Sequence, residues 1–141
     1  MGRMVYVVGA GLFSEVARRW RAQFAVNSGT WSTHELLPEA NHYAVAGLEW
    51  PNGFASKVMA LFLTGPADHA RNAQRVQSTR QAYMLAGCNT DVLTARGGSP
   101  LAQMMSLVML GDFMSVYLAL LNEVDPSRAG AVAEFKAALS K

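Results

Sequence analysis

Hydrophobic positions fall along this chain in two alternating rhythms. Met4 to Gly11, "MVYVVGAG", is an apolar run of β-branched and aromatic residues closed by glycine, the pattern of a buried strand. The next stretch, "LFSEVARRWRAQFAV", changes to helical spacing. Val16, Trp20 and Phe24 recur every four residues on one face, with arginines on the other. "STHELL" predicts a second short strand. Pro38 and Glu39 suit a helix N-terminus, so a helix is expected to follow them. "KVMALFL" is unbroken and apolar, as a central parallel strand is. "TGPADHARNAQRVQSTRQAYMLAG" predicts a long amphipathic helix ending at Gly87, "TDVLTA" a fourth strand, and "VDPSRAGAVAEFKAALSK" a last helix after Pro126.

Between the last two lies "PLAQMMSLVMLGDFMSVYLALL", Pro100 to Leu121, which imitates a membrane span in length and apolarity. Asp112 at its centre opposes insertion by roughly 2.5–3.5 kcal/mol. The segment is therefore predicted to be a helix buried on most sides within the protein, with no membrane partner. The resulting order, β-α-β-α-β-α-β-α-α, implies a mostly parallel sheet covered by helices on both faces, a three-layer α/β/α sandwich. Loops that follow strands then share one edge: Gly9–Gly11, "LLPEANH", Thr64–Gly65 and "ARGGS". Ligands of such sheets bind beyond that edge. No repeat, low-complexity tract or linker interrupts the pattern, so residues 1–141 are read as one domain.

Composition adds little to this and excludes some partners. About half of the residues are apolar and the formal net charge is +2, too small to predict a nucleic-acid or membrane-surface partner. Arg18, Arg19 and Arg21, and again Arg71, Arg75 and Arg80, are read as solvated helix faces or internal ion pairs. The single cysteine, Cys88, allows no internal disulfide and reads as a small buried residue in a turn, in keeping with a reducing cytoplasm. The N-terminus carries no signal-peptide pattern. No His, Cys or Asp spacing matches a zinc site, so a metal is not indicated.

Four features bear on chemistry. "VVGAG" after a strand resembles a dinucleotide-binding turn, but Ser14 stands where the third glycine belongs; a plain tight turn also explains it. "ARGGSP" offers backbone N–H groups to an anion, or only an N-cap at Ser99 with Pro100 in the first helical position. Asp112 calls for a partner such as Arg18 or Arg19. Glu39 precedes His42 by three residues at a helix start on the loop edge, where an acid and an imidazole can orient one another.

The strings "RRWRAQF", "LLPEANH", "GDFMSVYLALLNEVDPS" and "EFKAAL" occur together and in order. In this they resemble the C-terminal half of the bifunctional phosphoglucose/phosphomannose isomerases, which are built from sugar isomerase (SIS) domains. The resemblance implies a single SIS-type, flavodoxin-like domain equivalent to that half. It implies interconversion of glucose 6-phosphate or mannose 6-phosphate with fructose 6-phosphate by proton transfer between C2 and C1, without a cofactor. The family's histidine falls on His42 and its lysine on Lys136, and the two are expected to converge at one rim of the sheet once subunit contacts are included. Asn27 and Ser28 keep their places as substrate-binding residues. The family's catalytic glutamate, however, corresponds to Val26, which cannot accept a proton; Glu39 or Glu35 is the available substitute. The Ser/Thr-rich phosphate loop of the family's other half is absent.

The implied partners are a phosphorylated sugar and either a second copy, giving a homodimer in which the histidine reaches across, or a separate N-terminal SIS domain. The resemblance thus leaves two functions open. One is an isomerase domain that is incomplete or weak alone; the other is a non-catalytic sugar-phosphate-binding or assembly module.

Overall fold

A computed structural model of the chain describes residues 2–127 and 130–140. Four strands form one sheet: β1 (Met4–Ala10), β2 (Ser32–Leu37), β3 (Val58–Thr64) and β4 (Asn89–Thr94). They lie in the order β2-β1-β3-β4 and every pairing is parallel. Four helices accompany them: α1 (Ser14–Ser28), α2 (Ala70–Leu85), α3 (Pro100–Leu121) and α4 (Gly130–Leu139). Of the stretch expected to form the last helix, Arg128, Ala129 and Lys141 lie outside the described residues.

The two central strands are buried on both sides, which is why their sequences are apolar without alternation. Val5 and Val7 of β1 and Leu61 and Leu63 of β3 face α1 and α3, together with Val16, Trp20, Phe24 and Leu107. Val8 and Ala10 of β1 and Ala60 and Phe62 of β3 face the opposite way, toward Val76 and Tyr83 of α2. The expected α/β/α sandwich is therefore present. On the open edge of the sheet, the carboxylate of Asp91 accepts a hydrogen bond from the N–H of Val92 (2.8 Å).

The sequence strings of α1 and α3 meet face to face. The buried row of α3 is Gln103, Leu107, Gly111, Ser115 and Ala119, spaced four apart and mostly small. Trp20 sits fully buried against Gly111, and its Nε1–H donates to the Leu107 carbonyl (2.8 Å). A Cβ on Gly111 would overlap the indole ring. At the next residue, Asp112 accepts two hydrogen bonds from Arg19 (3.0 Å each) and one from Gln23 (2.7 Å). Asn27 then donates to Ser115 Oγ (2.8 Å). The predicted partner of Asp112 is thus found in Arg19.

Two expectations need correction. No α-helix follows Pro38. Residues 38–57 cross over β1 as irregular chain with three 3₁₀ turns, Glu39–His42, Ala46–Leu48 and Ala55–Lys57. Here Asn41 donates its side-chain amide to Thr79 Oγ1 (2.6 Å) and Tyr43 its hydroxyl to Glu35 Oε2 (2.6 Å). Those bonds and the interruptions at Gly47, Pro51 and Gly53 outweigh the helix-start signal. Nor is α3 buried on most sides. Its inner row is covered and Met104, Val108, Met114 and Leu118 are partly covered beside it, while Leu101, Met105, Met109, Phe113 and Tyr117 are each more than half exposed. Apolarity on all sides had suggested enclosure; the helix instead turns a second apolar face outward.

Because α1 and α3 approach closely only where residue 111 lacks a side chain, Gly111→Ala is expected to lower stability by about 1–3 kcal/mol, the usual cost of overpacking a filled core. Urea denaturation monitored by tryptophan fluorescence measures this. A value within a few tenths of the parent would show that the contact between Trp20 and Gly111 does not set the helix spacing.

Candidate functional site

Since all strands run one way, the turns after them share the carboxyl edge, and the segments leading into them share the amino edge. The chain leaves β1 toward one side of the sheet and β3 toward the other. The crevice between the ends of these two strands is the switch point at which open α/β sheets take ligands. The turn after β1 is tight because a Cβ at Gly9 would meet Ala17 Cβ at 2.8 Å and the Phe13 carbonyl closer still. That is a packing reason for the first glycine of the G-x-G string. Across the crevice, Asp68 accepts from Thr64 Oγ1 (3.3 Å) through one oxygen; its other oxygen is buried without a partner. Burial raises the Asp68 carboxyl above the ordinary carboxylate range, partly offset by its hydrogen bonds to Thr64 and the Gly65 backbone. At the next loop, Ser99 caps α3 by accepting from the Ala102 N–H (3.2 Å), with Pro100 in the first turn. Gln103 ties the two loops together, donating to the Gly97 carbonyl and accepting from the Ala67 N–H (2.8 Å).

Glu39 and His42 sit in the 3₁₀ turn after β2, also on the carboxyl edge, and both are exposed. The turn is pinned by Ala40, which is buried against Leu37, and by the bond from Asn41 to Thr79. No hydrogen bond joins Glu39 to His42 among the described residues. Glu35, the other substitute acid, accepts from Tyr43, and that bond is the first cause holding the Tyr43 phenol up at about 12. His34, one strand position earlier, has a buried Nδ1 without a partner; burial first, then Arg21 and Arg18, lower its basicity.

Val26, Asn27 and Ser28 lie in the last turn of α1, which leads into β2 and therefore stands at the amino edge. Val26 is 56% exposed. Asn27 is engaged with Ser115, and Ser28 is buried, donating to the Phe24 carbonyl (2.6 Å). Lys136 is exposed on α4, which follows the amino-edge end of α3. Position 26 and His42 thus stand at opposite ends of strands six to seven residues long, about 20 Å at the rise of a β-strand. A single chain does not bring them together. Along the amino edge runs an apolar groove of about 820 Å³, lined by Met4, Phe24, Met59, Tyr117 and Leu121, with Arg3 and Lys57 also on its walls.

Set beside known proteins, residues 1–139 match the family model described as the bacterial phospho-glucose isomerase C-terminal SIS domain. The chain belongs to this family. Two curated relatives, both bifunctional phosphoglucose/phosphomannose isomerases, are 32% identical over 118 residues (Caldicellulosiruptor bescii) and 31% identical over 140 residues (Aquifex aeolicus). They are matched over 84% and 99% of this chain, but over only 35% and 43% of their own length. The chain therefore spans less than half of each. A glucose-6-phosphate isomerase-like protein from Thermus thermophilus superposes with a TM-score of 0.71 at 26% identity, over 92% of this chain and 43% of that one. The SIS-type fold expected from the sequence strings is therefore confirmed. The SIS strings acquire a physical meaning: "RRW" and "GDFMS" are the two halves of the contact between α1 and α3 that holds the domain together.

Sequence reading passed over Asp68, and it took Arg71 and Arg75 as a solvated helix face or ion pairs. Their signal was weak: an acid just before a helix, and two arginines four apart. The raised carboxyl of Asp68 gives a pH test. Its folded form holds the proton more tightly than the unfolded one, so its contribution is full below the ordinary carboxyl pKa and is lost as pH rises through the higher folded value. In urea melts from about pH 4 to 7, the stability of Asp68→Asn relative to the parent should rise with pH. A constant difference would mean that the buried oxygen carries no such penalty.

Proposed function

We propose that this SIS domain is the C-terminal half of an aldose–ketose isomerase site that interconverts glucose 6-phosphate or mannose 6-phosphate with fructose 6-phosphate. In this reading His42 opens the sugar ring and handles a proton, Lys136 assists and Asn27 contacts the substrate, while Ser28, expected beside it as a substrate-binding residue, is buried against the Phe24 carbonyl and only braces that helix end. The observation that carries it is the placement of the candidates at opposite edges of one sheet. His42 is presented outward on its turn and position 26 stands at the other end, so a shared site requires a second SIS domain. Proton transfer between C2 and C1 needs one base near those carbons and donors near the ring oxygen. Val26 supplies no base, and the exposed Glu39 is the substitute closest to His42 in sequence. The domain is on this reading weak by itself, and a protein of this kind acts in the cytoplasm.

Val26 also favours a second reading. An exposed valine at the base position fits a non-catalytic sugar-phosphate-binding or assembly module.

The outward face of α3 bears on assembly. Leu101, Met105, Met109, Phe113 and Tyr117 form a long apolar stripe, with Phe113 and Tyr117 stacked (6.3 Å). Stripes of this kind mark association surfaces. A chain carrying this face alone can cover it with a second copy, in an isologous pairing about a two-fold axis.

Two experiments test these readings. The first joins the chain to the N-terminal half of the Aquifex aeolicus relative and follows fructose 6-phosphate isomerisation. Val26→Glu should raise the rate by about 10²-fold or more, the usual worth of a positioned base, and His42→Ala should lower it. Equal inertness of Val26→Glu and the parent would reject the isomerase reading and leave the binding module. The second is sedimentation velocity: the chain should run as a dimer and Phe113→Glu as a monomer. A monomeric parent that pairs only when a separate N-terminal SIS domain is added would assign the α3 face to that domain instead.

A further inference from the structure

The irregular crossover after β2 does not lie flush on the sheet. Between it and the first residues of β1 and β3 is a pocket of about 240 Å³. Its floor is buried and is made by Val58, Tyr83 and Cys88. Tyr6 and the half-buried Glu35 reach it from β1 and β2. They share the α2 face of the sheet: Tyr6 packs with the core on that side, and Glu35 is in register with Val8, which belongs to the same core. Tyr43, Trp50 and Phe54 form the rim from the crossover, and Trp50 is 77% exposed, a large ring that the core does not use.

The pocket thus combines five aromatic rings with one carboxylate, and neither Lys, Arg nor His is among its lining residues. Arg3 and Lys57, the bases adjoining it in sequence, line the amino-edge groove instead. Tyr83 donates to Tyr6 (2.9 Å), with the two rings 5.5 Å apart, and Tyr43 donates to one oxygen of Glu35 (2.6 Å). The other oxygen of Glu35 accepts no hydrogen bond, and Glu35 makes no ion pair, among the described residues. All three phenols are raised. Burial leads for Tyr6 and Tyr83 and the bond to Glu35 for Tyr43, and the Glu35 charge adds to each. They stay neutral at ordinary pH, so the negative charge of the pocket is that of Glu35.

A carboxylate half withdrawn from water among apolar walls favours a counter-charge, and the faces of the rings around it are themselves electronegative. One carboxylate cannot replace the water shell of a metal ion. An ammonium group carrying alkyl substituents sheds little water and gains apolar contact as well. We propose that this pocket binds a small alkylated ammonium ion, with its charge beside Glu35 and its alkyl groups among the rings of Tyr6, Tyr43, Trp50 and Phe54. The site goes beyond the isomerase reading and does not rest on it, since it selects the charge opposite to that of a sugar phosphate.

Isothermal titration of the purified chain with choline tests the site, alongside the neutral alcohol in which a tert-butyl group replaces the trimethylammonium group of choline. Choline should bind one to one, and the alcohol should bind about tenfold more weakly or less. Glu35→Gln keeps the shape and an acceptor for Tyr43; it should weaken choline binding about tenfold and leave the alcohol unchanged. Trp50→Ala removes an exposed ring and should weaken both ligands. Should Glu35→Gln fail to fold, the comparison of choline with the alcohol on the parent decides the charge preference and Trp50→Ala decides the location. Absence of choline binding, equal affinity for choline and the alcohol, or a choline affinity unchanged by either variant would overturn the site. Activity of the isomerase chimera has no bearing on any of these outcomes.

Discussion

The domain depends on how closely α1 and α3 can approach. Trp20 fills the space that Gly111 leaves empty, and its indole N–H reaches the Leu107 carbonyl. This fixes the distance and rotation of α3 over the sheet. The polar contacts that follow, Arg19 and Gln23 on Asp112 and then Asn27 on Ser115, extend the contact toward the amino edge. Each bond is modest in net worth, about 0.5–3 kcal/mol depending on charge. Their geometric effect is larger. They hold a row of small residues inward and so direct the bulky apolar residues of α3 to solvent.

Much of the fold was legible in the residues, and the failures have physical causes. The central strands β1 and β3 announced themselves, because a central parallel strand must be apolar on both faces and tolerates no breaks, while the edge strands β2 and β4 showed as shorter mixed runs between turn signals. The helix α1 was legible because Val16, Trp20 and Phe24 share one face. The segment after Pro38 was misread because a start signal says nothing about continuation; Asn41 and Tyr43 spend their polar ends on Thr79 and Glu35, and the chain follows those bonds. The burial of α3 was misread for a different reason. A helix that is apolar all round is indistinguishable, by composition, from one that has a covered inner face and an outer face awaiting a partner.

The candidate site was legible only in pieces. The sequence strings named His42, Lys136 and the position of Val26, but their order along the chain does not reveal that the chain returns to the amino edge before each new strand. That alternation is what separates residue 26 from residue 42, although they are close neighbours in sequence. The arginines of α2 were read as a solvated face or as paired, and Arg71 is exposed while Arg80 is bonded to Thr90.

The open edge of the sheet constrains how such a domain can associate. On β4 the carboxylate of Asp91 already occupies the N–H of Val92, a donor that an incoming strand would need to extend the ladder. Strand addition is thereby discouraged along β4, whereas among the described residues the β2 edge carries no such side-chain block, so the two margins of the sheet are unequal as places for another chain to pair.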